Sequence, residues 1–323
     1  MRSDLVAALG GRRVGAHLPL GTGLVRAVER ASAIGANTLQ VFTDNPTAWR
    51  RRADPPGELA HFVASLDDHD MRPLAVHGPY LLNFASPDDA VWERSIATLV
   101  ADLRQGARWG ATLLNVHLGS HRGSGVDAGI RRVGMAVGRV LDETAGIPGV
   151  PRLVLENSAG GGDGIGGSID ELAAIQEAIV RAGGSLDRTG FCLDTAHAWG
   201  AGFDVSWPEG VDALLTALVR ALGPGRLAMA HLNDSRSHRG SHTDRHEHIG
   251  AGLIGAVGLR SVLAHDTLRG VPFYLETPGM DEGYDALNME RVRLLLAGTP
   301  LPELPHGAFA ARGARSRTGP SEP

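Results

Sequence analysis

Six short apolar runs in this chain each end on a side chain able to bind a metal. Residues 73–77 end in His77, 113–117 in His117, 153–156 in Glu156, 190–194 in Asp194, 227–231 in His231 and 273–276 in Glu276. More ligand types follow at short spacing. His197 stands three residues past Asp194, and Asp244 and His246 stand two apart, a spacing that can aim both side chains the same way. A lone His or Asp at a strand end ordinarily caps a loop or a helix. Six at matching positions, with no basic residue among them, point to a shared site. Five imidazoles and four carboxylates exceed one tetrahedral site. The mixed nitrogen and oxygen set suits zinc, with manganese (Mn2+) or iron (Fe2+) also accommodated. Three divalent ions sharing a carboxylate would use the set economically. With four carboxylates and a bridging hydroxide, they would leave a charge of about +1 in the mouth, enough to draw a phosphodiester.

The elements that must position these residues can be read from the pattern. Runs at 13–17, 38–42, 73–77, 113–117, 153–156, 190–194, 227–231 and 273–276 read as strands. Between them lie amphipathic stretches such as 91–109, 169–182 and 211–222, with apolar residues at three- and four-residue spacing. Eight strand-then-helix units predict an α/β (β/α)8 TIM barrel, whose active site sits at the C-terminal ends of the strands. The barrel domain is expected over residues 1–304. The segment 305–323, rich in Gly, Pro and Arg without periodicity, reads as a disordered tail whose Arg312, Arg315 and Arg317 could touch phosphates.

Composition excludes several classes. The chain has 323 residues, 43% of them hydrophobic, which rules out disorder for its bulk. Cys192 is the sole cysteine and lies in an apolar run, so it reads as a small buried hydrophobe and no disulfide framework exists. All 31 basic residues are arginine. That removes Schiff-base, Walker-lysine and pyridoxal chemistry. A net charge of −5 is not that of a general nucleic-acid binder. With no secretory or membrane-spanning run, a soluble cytoplasmic protein is expected.

The motifs themselves resemble a family. His77-Gly-Pro-Tyr80-Leu-Leu-Asn83, Asn115-Val-His117-Leu-Gly-Ser-His121, Leu155-Glu156-Asn157, Asp194-Thr-Ala-His197, His231-Leu-Asn-Asp-Ser235, Asp244-Arg-His246 and Leu275-Glu276-Thr-Pro278 are similar to those of endonuclease IV, the zinc-dependent abasic-site endonuclease. The likeness runs in order from Val14 to about Pro300. It implies a monomeric DNA-repair enzyme with three Zn2+ ions, acting on damaged double-stranded DNA. His77, His117 and Glu156 would hold one zinc. Glu156 would bridge to a second, completed by Asp194, His231 and Glu276. His197, Asp244 and His246 would hold the third. Glu156 and Glu276 would be the catalytic carboxylates, with hydroxide attacking phosphorus in line on the 5′ side of the abasic sugar. Asn45, Thr47, Tyr80, Leu81 and Arg245 would meet the DNA. With no lysine, cleavage by hydrolysis rather than β-elimination is expected.

The chain departs from that pattern in places. Thr47 stands where an inserting Arg is usual, Asp44 where Lys is common, and Leu118 where Pro follows the fourth-strand histidine. A threonine reaches less far into a gap in the base stack, so extrusion would lean on Tyr80 and Leu81. Two other readings compete. Gly162-Asp-Gly164-Ile-Gly-Gly167 formally matches a dinucleotide fingerprint, but it begins several residues after Glu156 rather than straight off the strand. A loop giving DNA close approach, or a plain flexible loop, suits it better. The stronger alternative is a divalent-metal sugar isomerase or epimerase on the same barrel. The discriminating feature is His197 with Asp244 and His246, beside His77 and His117. A catalytically silent DNA binder is argued against by the intact ligand set. The loop histidines His238, His242 and His248 are expected to be solvated.

Overall fold

A computed structural model describes residues 9–280 and 282–310. Eight parallel strands, β1 (Val14–His17), β2 (Thr38–Val41), β3 (Leu74–His77), β4 (Leu113–Val116), β5 (Arg152–Glu156), β6 (Thr189–Asp194), β7 (Leu227–His231) and β8 (Phe273–Leu275), close into a barrel in the order β1-β8-β7-β6-β5-β4-β3-β2. Around it lie α1 (Leu24–Ala33), α2 (Leu59–Asp68), α3 (Asp89–Arg108), α4 (Val126–Glu143), α5 (Ile169–Arg181), the short α6 (Thr195–Gly200), α7 (Pro208–Leu222), α8 (Gly255–Ala264) and α9 (Tyr284–Ala297). The predicted TIM barrel is the observed fold.

Strand parity places the site. Side chains alternate across a strand, so residues two apart share a face. The lower interior is plugged by Ala75, Leu113, Val154, Cys192, Met229 and Tyr274, one from each of β3 to β8. Two residues further along, the same inward face carries His77, Asn115, Glu156, Asp194, His231 and Glu276. The neighbouring strands add Gln40, two past Thr38, and His17, two past Gly15. An apolar plug therefore supports a polar layer, as the layered interior of such barrels requires. Cys192 is buried in that plug, and burial pushes its thiol up to about 12, which suits an inert packing residue.

The larger apolar core lies between strands and helices, around Phe62, Trp109, Phe84 and Phe191. Helices α4 and α5 approach closely because Gly134 and Gly138 face Ala178 and Ala182; a Cβ on Gly134 would lie 2.6 Å from the Ala178 Cβ. Among the described residues, no helix is long and apolar enough to cross a membrane.

The C-terminal segment differs from its expected form. Composition predicts a disordered tail from residue 305, but His306–Ala310 forms a 3-10 turn with Ala308 buried. The turn is docked because His248 Nε2 donates to the Ala308 carbonyl (3.0 Å) while Asn288 bonds the other ring nitrogen (3.0 Å). His248 is thereby buried rather than solvated, its ring spent on tying two segments together. Residues 311–323, with Arg312, Arg315 and Arg317, lie outside the described residues.

Close approach of β1 to β2 makes Gly15 obligatory: a Cβ there would lie 1.8 Å from the Thr38 carbonyl oxygen. Gly15→Ala is expected to destabilise the fold by about 3 kcal/mol, or to prevent it forming. Urea unfolding checks this, and an unchanged midpoint would contradict the packing described.

Candidate metal centre

Parity alone does not bring the remaining ligands into place. Asp194 ends β6 and caps α6, its Oδ1 accepting from the His197 backbone N–H at 2.7 Å. That capping bond fixes the three-residue spacing, turning His197 back over the strand ends while Oδ2 stays free to face the interior. His246 arrives on a short antiparallel ribbon, Asp234–Ser235 paired with His246–Glu247. The ribbon's base is held by Asp234, whose buried carboxylate accepts the backbone N–H groups of Ser235, Gly252, Ile254 and Gly255.

Nine side chains converge in three groups. His77, His117 and Glu156 form one, Glu156, Asp194, His231 and Glu276 another, and Asp194, His197 and His246 a third, the ligand atoms of each lying within 4.8 Å of one another. Asp244 closes on the third, with Oδ2 at 3.2 Å from His197 Nε2 and Oδ1 at 3.0 Å from His246 Nε2. Asp194 also reaches that group, its Oδ2 at 3.7 Å from His246 Nε2. Glu156 is shared by two groups: Oε2 faces His77 (3.7 Å) and His117 (3.8 Å), Oε1 faces His231 (3.1 Å). Its orientation is held by Asn115, whose Nδ2 donates to Oε2 at 2.5 Å.

The donor set fits metal ions, and ring tautomers are the test. A metal-binding imidazole characteristically donates its other N–H to a carbonyl or carboxylate. His77 Nδ1 donates to the Gly78 carbonyl (2.7 Å), His197 Nδ1 to the Asn157 carbonyl (2.9 Å) and His246 Nδ1 to the Glu276 carbonyl (2.8 Å). In each ring this leaves the Nε2 lone pair facing the carboxylates. Asn233 steadies two of those, donating to Asp194 Oδ2 at 2.7 Å and accepting from the Glu276 backbone N–H at 2.9 Å.

Charge and burial together shift several protonation equilibria here. Burial opposes ionisation of Glu156, but His117 and His231 hold its carboxyl well below the usual range. Glu276 is likewise lowered against burial by His231, His17 and His77. Asp244 is held low, against burial, by His246 and His197. Burial would lower the His246 imidazole, yet Asp244 and Asp194 outweigh it and carry it up to about 9. In His17 and His117 burial prevails and the imidazole is lowered.

Beside the third group opens a cavity of about 420 Å3, walled by Phe42, Tyr80, Pro278 and Met280 and bordered by Arg245 and Glu276. Tyr80 is 60% exposed and stands edge-on to Phe42 at 5.3 Å; Leu81 beside it is half-buried. Arg245 is exposed at the rim, and Asn45 is exposed beside a separate cavity lined by Asp44, Pro46 and Arg52. Thr47 is exposed too, but its hydroxyl turns back to Asn45 Oδ1 (2.8 Å). Asp44 is occupied within its own loop: Arg52 donates to it from backbone N and Nε (both 2.9 Å), and Gln105 of α3 from Nε2 (3.2 Å). The glycine-rich loop 158–167 is pinned rather than open. Gly166 and Gly167 donate to Glu171 Oε2, Ser120 bridges to Gly164, and Leu118 packs where a Cβ on Gly166 would stand.

Comparison with known proteins agrees with this architecture. A family model described as a xylose isomerase-like TIM barrel matches residues 28–295. A protein of Methanoculleus marisnigri named "Probable endonuclease 4" is 40% identical over 282 residues, 87% of this chain and 98% of that one. Another of the same name from Halothermothrix orenii is 36% identical over 86% of this chain and 99% of its own. The crystal structure of endonuclease IV from Thermus thermophilus superposes with a TM-score of 0.76 at 36% identity, covering 89% of this chain and 100% of that one. The chain belongs to the endonuclease IV family. A D-tagatose 3-epimerase-like protein shares the barrel with a TM-score of 0.62 at 16% identity, a likeness of fold alone. Endonuclease IV proteins depend on metal, and the three groups supply the ligand types for it.

Some members of this endonuclease IV site carry no metal-like signal in the sequence. Gln40, Asn115 and Asn233 do not stand out by residue type, although strand parity marks the first two; His17 is of ligand type and closes its strand run, but it lies outside the nine positions read from the sequence. Asn233 has no periodic signal, since it lies just beyond β7.

One consequence is measurable without substrate. A histidine whose pKa rises on folding stabilises the fold below its unfolded value of about 6.5, and that stabilisation is lost as pH rises through the folded value. For His246 the window runs from about 6.5 to about 9. His77 and His197 are raised as well, by carboxylates that outweigh burial, and His231 is raised against burial by Cys192 together with Glu276 and Glu156. The metal-stripped protein should therefore melt at progressively lower temperature across that window. Added zinc should reverse the slope, because its ligands bind deprotonated. A flat or rising profile for the stripped protein would contradict the charge pairing described.

Proposed function

We propose that this chain is a DNA-repair endonuclease that hydrolyses the phosphodiester 5′ to an abasic site in duplex DNA, using three zinc ions and leaving 3′-hydroxyl and 5′-deoxyribose phosphate ends. The observation that carries the reading is Glu156: one buried carboxylate presents one oxygen to His77 and His117 and the other to His231, with a third imidazole-carboxylate group alongside. The relatives named for endonuclease activity share this chain nearly end to end. His77, His117 and Glu156 would hold one ion; Glu156, Asp194, His231 and Glu276 a second; His197, Asp244 and His246 a third. Zinc suits the donors best, and manganese or iron are accommodated by the same types. Bound divalent ions supply Lewis-acid charge at a phosphoryl oxygen and a water acidic enough to ionise near neutral pH.

The chain's own residues do the rest. Glu156, anchored by Asn115, is placed to orient a water against phosphorus, and Glu276, anchored by Gln40 and His17, faces the same space. The apolar wall of Phe42, Pro278 and Met280 suits a sugar that carries no base. Tyr80, with Leu81 beside it, is the wedge that would hold the stack open, and Arg245 and Asn45 would meet the backbone. Thr47 contributes little reach, its hydroxyl being spent on Asn45. The enzyme is read as a cytoplasmic monomer.

A labelled duplex with one abasic site tests the reading. Nicking should vanish on chelation, return with zinc, and leave a 3′ end that a polymerase extends. Failure of the zinc-loaded protein to nick would sink it. Glu156→Gln should lower kcat by ~10²–10⁴-fold, the range for loss of a positioned proton acceptor. Thr47→Arg should tighten abasic-duplex binding, measured by anisotropy; affinity no better than the parent's would show that reach at this position is not limiting.

A further inference from the structure

We propose that Gln40 is a positioning residue for the metal centre: its side-chain amide dictates which nitrogen of His231 faces the carboxylates and holds Glu276 beside it. This rests on the zinc reading above. Gln40 is fully buried on β2, in register with His17 of β1. An amide there is costly unless both ends are hydrogen-bonded. Both are. Nε2 donates to Glu276 Oε1 at 2.7 Å, and Oε1 lies 3.1 Å from His231 Nε2.

The orientation follows from the partners. An ionised carboxylate only accepts, so the amide nitrogen must face Glu276 and the amide oxygen His231. That oxygen also only accepts, so His231 Nε2 carries the proton. The lone pair is thereby assigned to Nδ1, which faces Glu156 Oε1 (3.1 Å), Glu276 Oε2 (3.4 Å) and Asp194 Oδ2 (3.7 Å). One amide thus sets two members of a single ligand group. His17 braces the same oxygen of Glu276, Nδ1 lying 2.8 Å from Oε1 and 3.0 Å from the Gln40 amide nitrogen. His77, His197 and His246 lean on backbone carbonyls, which no substitution removes. His231 leans on a side chain, so this group's grip on its ion depends on residue 40.

Zinc retention by the full-length protein is the readout, by competition with a chromogenic chelator. Gln40→Met keeps the length and removes both hydrogen bonds. Gln40→Glu keeps an oxygen for His231 but sets a like charge against Glu276, and it carries the test if the first variant fails to fold. Both should release one zinc about ten- to a hundredfold more readily than the parent, the usual cost of losing an outer hydrogen-bond partner. A purely structural residue would instead lower the melting temperature of the metal-stripped protein and leave zinc retention alone. Variants that hold zinc as tightly as the parent overturn the assignment of Gln40. A parent that holds no zinc overturns the zinc reading itself, and this with it.

Discussion

A cluster of ionisable groups in the mouth of a closed barrel must neutralise itself, and this structure is arranged around that requirement. Glu156, Asp194 and Glu276 lie among the metal-facing imidazoles where little water reaches, and the more exposed Asp244 closes on them from the rim. An isolated carboxylate so placed would be protonated or expelled. Here each is matched: Glu156 to His77, His117 and His231, Glu276 to His17 and His231, Asp194 to His231 and His246, Asp244 to His197 and His246. The amides of Asn115, Gln40 and Asn233 take up the hydrogen-bonding capacity that remains on the carboxylates. Removing one member would strand its partners, so the group persists as a whole.

The loop after β2 illustrates a different economy. Asp44, which stands where the resembled family commonly has Lys, is a brace. It accepts from Arg52 and Gln105, while Arg51 pairs with the buried Asp102 of α3 and donates to the Ala48 carbonyl. A loop carrying an acidic residue is thereby held in one shape by its own arginines. Such a loop can meet a partner without first losing conformational freedom. The same fastening keeps Thr47 folded onto Asn45, so its short reach is set by the loop as well as by its size.

Much of the site is legible in the sequence because two rules suffice. The barrel follows from eight strand-helix alternations, and the ligands from strand-end chemistry. The nine ligand positions do converge, and capping geometry accounts for the spacing of Asp194 and His197. What escapes is polar but not metal-like in type, or distant in sequence from its partner. Gln40 is an amide of no ligand type, and His17 ends β1 with no second ligand type beside it in sequence, although parity places both inward. His248 looks like a loop histidine because its partners, Asn288 and the Ala308 carbonyl, lie 40 and 60 residues away. Composition alone makes the segment after residue 305 look unstructured, and the docking of Ala308 cannot be read from it.

The ribbon that carries His246 is separable from the barrel in a way the other ligands are not. His77, His117, Glu156, Asp194, His231 and Glu276 lie in or directly beyond strands whose plug residues stand just below them. Asp244 and His246 hang instead on an excursion rooted at the Asp234 carboxylate. Exchange of that one loop would therefore take away Asp244 and His246 together while leaving Asp194 and His197 in place on β6 and α6.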